Sequence, residues 1–211
     1  TVPMQAFELE MKLMPVLMDI EKRGMRIDLD KLNEHKERIE KEVRYYRGVA
    51  RGYGFNPGSS PQLAAVLQGR GWRIKYNRRT GKPVLNKQML TTVYAEDPLS
   101  HLTMLYRSNN ILLTTFIKPI LNKHLTGDRV HGRINQTVTD SGRLSRTQPN
   151  LQNIPPVMRD IYIPSEGCYL EARDLSQIEL RCLAWLVWQE TGDRTMQALF
   201  EDGVDIHDGV Q

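Results

Sequence analysis

The sequence predicts an α+β fold, a mainly helical first part giving way near residue 128 to antiparallel strands and a further helix. Apolar residues recur at helical spacing through most of the first 120 positions, and strand-like alternation begins only at Val130. The composition is that of an ordinary globular chain, with 40% hydrophobic and 26% charged residues among 211. A disordered chain, a collagen-like repeat and a disulfide miniprotein are thereby excluded.

The first helix is expected over 4–23, with Phe7, Leu9, Met11, Leu13, Val16, Leu17 and Ile20 as apolar positions and Gly24 closing it. Arg26-Ile27-Asp28 reads as a short connector. Asp28 or Asp30 then caps a second helix with Leu32, Ile39, Val43 and Tyr46 on one face. Its other face alternates Glu, Lys and Arg, as a solvated surface does. Residues 51–60 are turn-rich, and Ser60-Pro61 is a cap-plus-first-position pair for a helix through Leu67. The basic stretch Arg70 to Lys82, with Trp72 and Tyr76 interleaved, reads as a hairpin or exposed loop. A short helix follows over about 87–94. Asp97-Pro98 opens a long one with Leu99, Leu102, Leu105, Leu112, Phe116 and Ile120 on one stripe. Strands are expected at Val130–Val138, Ile161–Ile163 and Cys168–Ala172, and a helix from Ser176 to about Trp188.

Charge is unevenly spread. The chain carries +4 overall, but residues 54–150 carry +10 and 151–211 carry −7. A basic middle suits a polyanion, and an acidic final third suits metal ligands. The longest apolar runs, 111–113 and 183–188, fall far short of the roughly 20 residues of a membrane span, so no membrane partner is expected. Thr1-Val2-Pro3-Met4 has no signal-peptide character and reads as a start inside a longer chain. Cys168 and Cys182 form no CxxC and read as free thiols of a reducing compartment, so a cytoplasmic setting is expected.

Asp174 is expected at the end of a strand and just before a helix, where a carboxylate can face an open cleft and hold a metal. By itself it serves equally as a helix cap. Its neighbourhood, Asp174-Leu175-Ser176-Gln177-Ile178-Glu179-Leu180-Arg181, resembles motif A of family A DNA polymerases, with Leu175 replacing the usual Tyr. Thr139-Asp140-Ser141-Gly142-Arg143-Leu144-Ser145 and Pro149-Asn150-Leu151-Gln152-Asn153-Ile154-Pro155 resemble two further segments of that family. Phe55-Asn56, Gln62-Leu63 and Thr80-Gly81-Lys82 resemble its thumb. Asp205-Ile206-His207 resembles the segment that follows motif A.

The resemblance implies a helical thumb with connecting helices over 1–127 and the N-terminal part of a palm over 128–211. It implies template-directed DNA synthesis on a primer-template with dNTP substrates, in a monomeric bacterial or viral protein, with two Mg2+ ions. Asp174 would be the catalytic carboxylate and a metal ligand, with the backbone carbonyl of Leu175 as another. Gln177, Glu179 and His207 would meet the nucleotide, Glu179 crowding the sugar 2′ position. Arg143, Asn150, Gln152 and Asn153 would check paired bases in the minor groove, where donors meet similar acceptors on every pair. Arg78, Arg79 and Lys82 would contact phosphates from the thumb.

Four positions depart from the pattern. Ile111 stands where the family usually has a lysine, Pro83-Val84 replaces Ser-Thr, Leu175 replaces Tyr, and Pro156 to Arg159 shortens a loop. The fingers helix and the second metal carboxylate do not follow His207, so this chain alone is not expected to polymerise. The alternative is a stand-alone or inactive primer-template binding module. A nuclease fits poorly, because Glu171 and Asp174 are three apart and cannot share a strand face. Ser176 lacks the Gly-x-Ser-x-Gly of a serine hydrolase.

Overall fold

The computed structural model describes residues 4–203. The chain divides into two compact units, with the break between Cys168 and Tyr169.

In the first unit, α1 (Met4–Arg23) ends at Gly24, whose φ of +63° an L side chain adopts only with strain. A Cβ there would also stand 2.7 Å from the His131 ring. Glycine is required for both reasons. The expected connector at 26–28 is instead the end of a strand, β1 (Met25–Ile27). It pairs antiparallel with β3 (Arg129–Val130) on one side and β6 (Tyr162–Ile163) on the other. With β2 (Leu125–Thr126) at one edge, these make a four-stranded sheet ordered β2-β3-β1-β6. Three residues carry too little alternation to announce a strand, and their partners lie over 100 positions away.

Asp28 caps α2 (Leu29–Gly52), accepting a hydrogen bond from the Lys31 amide at 3.0 Å. Leu32 and Ile39 are fully buried and Val43 nearly so, each contributing about 1.5–3 kcal/mol of burial. They join α5 (Pro98–Ile111), the turns after it and the sheet in one core, with Leu113, Ile117, Ile120, Val130, Met158 and Ile161. A second core gathers Phe55, Leu63, Leu67, Ile74, Leu85, Leu90, Tyr94 and Leu99 around α3 (Ser60–Gly69) and α4 (Lys87–Thr92). α2 and α5 are also tied by Arg47 donating to the Tyr106 hydroxyl at 2.8 Å. Asn109 also donates to Glu42 at 2.6 Å.

Several boundaries differ from expectation. Ser59, not Ser60, caps α3, which runs to Gly69. The long helix keeps α geometry only to Ile111 and continues as wider π turns over Leu112–Ile117 and Ile120–His124. Thr114 bonds back to the Asn110 carbonyl there, and Pro119 offers no amide hydrogen. The segment from Val130 breaks at His131-Gly132 into β3 and a separate β4 (Arg133–Asn135), which pairs with β5 (Ser145–Thr147). A Cβ on Gly132 would stand 3.0 Å from the Pro149 carbonyl, so the strand bends where two backbones nearly touch.

Where the second unit begins, Cys168–Ala172 form no strand, although apolar content predicts one. Among the described residues no neighbouring strand lies alongside them, and an extended segment without a ladder gains nothing from regularity. α6 (Ile178–Thr191) follows, closed by Gly192 at φ +75°. α7 (Thr195–Glu201), which sequence reading does not anticipate, packs against it. Fold class and helical predominance agree with expectation.

Candidate functional site

The acidic segment begins in coil. Asp174 and Leu175 are exposed, so the carboxylate oxygens face outward without the expected strand beneath them. The Leu175 carbonyl accepts a long bond of 3.3 Å from the Ile178 amide, one of its two lone pairs. Gln177 sits in the left-handed region at φ +52°, a conformation that turns the chain abruptly into α6. Glu179 is in the first turn of that helix. Arg181 bonds back to the Ser176 carbonyl at 2.9 Å and stacks 4.5 Å from the Phe200 ring centroid, pinning the turn to α7. Among the described residues no cluster of three His, Cys, Asp or Glu could hold a metal by itself. His207 lies outside the described residues.

Four polar candidates of the first unit share one loop. The Asn150 side chain accepts from the Gln152 amide at 3.0 Å and starts a 3-10 turn over Leu151–Asn153. The Gln152 side chain accepts from the Arg146 amide and donates to the Leu144 carbonyl, both at 3.0 Å. These two residues therefore fasten the 144–153 loop from inside. Arg143 and Asn153 are exposed on the same loop.

The basic stretch forms a compact turn. Tyr76 bridges to Pro83, and Asn77 accepts from the Arg79 and Thr80 amides at 2.9 and 3.0 Å. Gly81 supplies the φ of +63° that closes the turn. Arg78, Arg79 and Lys82 are thereby held together and exposed.

A model of DNA polymerase family A matches residues 26–211. The chain belongs to DNA polymerase family A. It is 36% identical to the thermostable DNA polymerase I of Thermus filiformis, over 95% of this chain and 25% of that protein. With DNA polymerase I of Bacillus subtilis it shares 32% identity, over 95% of this chain and 24% of that one. A solved structure described as the POL domain of Pol1 from M. smegmatis in complex with DNA primer-template and dNTP superposes with a TM-score of 0.78. That match has 28% identity and covers 94% of this chain and 36% of the other. The chain thus spans about a quarter of the length of the curated relatives it matches.

Three side chains of this family A chain escape sequence reading. Arg47 and Arg51 stand one turn apart on α2 and line a cleft of about 580 Å3 with Phe55, Asn56 and Gln62. Their i, i+4 spacing was visible, but not the turn that folds back to face them. Arg107 bonds to the carbonyls of Pro57 and Leu85 and to the Ser60 hydroxyl at 2.7–3.1 Å, locking three segments around one guanidinium. Burial pushes its pKa down. No helix among the described residues is long and apolar enough to cross a membrane.

Proposed function

We propose that these residues serve template-directed DNA synthesis, transferring a nucleotidyl group from a dNTP to a primer 3′ hydroxyl. The observation that carries this is the exposed Asp174 leading through Gln177 and Glu179 into α6, in a chain that matches the family over 26–211. In the reaction the primer oxygen bonds to the α-phosphorus, pyrophosphate leaves, and the hydroxyl proton passes to solvent or a base. The thumb and connecting helices would comprise 1–127 and the start of the palm 128–211.

Mg2+ favours hard oxygen ligands and is usually held by one or two carboxylates plus substrate phosphates, not by a complete protein cage. The carboxylate of exposed Asp174 beside the backbone carbonyl of Leu175, which keeps one lone pair, fits that donor set as a partial site. When bound, the two ions supply charge neutralisation at the phosphoryl oxygens. Asp174 holds and orients. Gln177 and His207 contact the nucleotide, and Glu179 fills the space a ribose 2′ hydroxyl would need. Arg143 and Asn153 read base-pair edges, while Asn150 and Gln152 keep that loop in shape beside the duplex. The protein acts as a monomer, in the cytoplasm of a bacterium or of an infected host cell.

The direct test is to exchange the matching segment of B. subtilis DNA polymerase I for these residues and to assay primer extension. Extension by that chimera is expected, and its absence with a folded protein would count against the reading. Within the chimera, Glu179→Ala should raise ribonucleotide use relative to deoxyribonucleotide use by about tenfold or more, since discrimination by one side chain is worth about 1–3 kcal/mol. An unchanged ratio removes the sugar-gate role.

The chain alone is expected to bind primer-template duplex with steep salt dependence. Replacing Arg78, Arg79 and Lys82 together by Gln should flatten the slope of log K against log salt by about 0.9 for each phosphate no longer neutralised. Fluorescence anisotropy across a salt series checks it, and an unaltered slope would exclude this turn from the interface.

A further inference from the structure

The last turn of α1, the His131-Gly132 connector, the start of β4 and Gln148 border an open cleft of about 420 Å3 lined by Glu21, Lys22, His131, Arg133 and Gln148. Three stretches far apart in sequence meet there because Arg133 pairs with Thr147 across β4 and β5, bringing Gln148 beside the connector.

The acceptors at the end of α1 are already engaged, and the lining keeps a net positive charge, Lys22 and Arg133 against Glu21. At the end of α1 the Ile20 carbonyl accepts from the Gly24 amide at 3.1 Å, and the Glu21 carbonyl from His131 Nδ1 at 2.9 Å. The Arg23 carbonyl accepts from Arg129 at 3.2 Å. Glu21, the one acid on the cleft wall, accepts from the Ile134 amide. The cations are not engaged. Among the described residues Lys22 and Arg133 are exposed and make no side-chain hydrogen bond or ion pair. Gln148 adds an amide and holds φ at +56°, an uncommon and strained setting for a non-glycine residue. Two free cations and an amide donor around a concave space form a receptor for an oxyanion, with Arg133 suited to two oxygens at once.

The cleft adjoins the 149–153 loop: Gly132 on its wall lies against the Pro149 carbonyl and the Leu151 side chain. We propose that Lys22, Arg133 and Gln148 bind a backbone phosphate of a DNA strand as it passes beyond that loop. This rests on the polymerase reading above and adds a contact on the face of α1, apart from the Arg78 to Lys82 turn.

The test compares the chain with its Lys22→Gln/Arg133→Gln form for binding of a fluorescein-labelled primer-template, from 50 to 300 mM salt. Affinity should fall by about tenfold at the lowest salt and the slope flatten by about 1–2. The charge-preserving Lys22→Arg/Arg133→Lys form should keep most of the slope. Urea unfolding should be unaltered, because both side chains are exposed. Equal slopes for the chain and its Gln form would overturn the inference and leave the polymerase reading standing. Failure of the unaltered chain to bind any primer-template would sink both. Inorganic phosphate, titrated with detection at the backbone amides of 131–133 and 148, separates the sources. Phosphate-induced shifts that vanish in the Gln form, with DNA binding the same in both, would assign the cleft to a free oxyanion and overturn the DNA contact.

Discussion

Asp174→Ala in the B. subtilis chimera is expected to abolish primer extension while leaving duplex binding within about twofold. A carboxylate that holds a catalytic cation stabilises the transition state by several kcal/mol, and each 1.36 kcal/mol is a factor of ten. A loss on the order of a thousandfold or more in extension rate therefore follows. Binding should survive, because the basic turn and the 143–153 loop lie in the other compact unit. Asp174 is exposed, so its truncation leaves no cavity, and the chimera's thermal unfolding should not move. Single-turnover extension and anisotropy together read the result. Retained extension would remove Asp174 from the chemistry, and parallel loss of binding would make its role positional.

The second large effect is on stability. Asp97 is only 3% exposed and accepts from Arg70 at 2.7 Å, from the Trp72 indole at 2.9 Å and from the Leu99 amide at 2.9 Å. It therefore caps α5 and ties the Arg70–Trp72 side of the second core to that helix. Asp97→Ala removes the acceptor of an indole, a helix amide and a partly exposed guanidinium at once and should destabilise this region by about 3 kcal/mol. Urea unfolding followed by Trp fluorescence checks it, and a change below about 1 kcal/mol would mean the network is dispensable. Burial pushes the Asp97 pKa up, but the bonds from Arg70, the Leu99 amide and Trp72 outweigh it, and the net pKa lies below the ordinary carboxylate value. The folded state thus favours the ionised form. Its contribution is fully present above about pH 4, the unfolded value, and is lost as pH falls through the lower folded value. Stability should drop on acidification in the unaltered chain and drop less in Asp97→Asn.

The helices were legible wherever one face is apolar and a capping residue precedes it. α2 is the plainest case, with Asp28 capping and Leu32, Ile39 and Val43 buried as their spacing demands. The family segments were legible because they are contiguous: 139–145, 149–155 and 174–181 each carry their residue types in an unbroken run. Local order of that kind is written in neighbouring residues.

Strands near 130–135 and at 162–163 were legible, but β1 and the pairing that makes the sheet were not. β1 has three residues, and its status depends on Arg129 and Ile163 arriving beside it. The failed strand at 168–172 is the converse, apolar enough to pair but with no neighbour among the described residues. Nor did spacing reveal that Asn150 and Gln152 spend their side chains on their own loop, or that Arg107 bonds to three segments. By itself, then, the sequence determined the family, the helical frame and the candidate segment at 174–181, because periodicity, caps and contiguous motifs are local properties. Which polar groups are consumed internally and which stay open, as Lys22 and Arg133 do, only tertiary structure decided. A hydrogen bond between distant residues exists only once the chain has closed the loop between them.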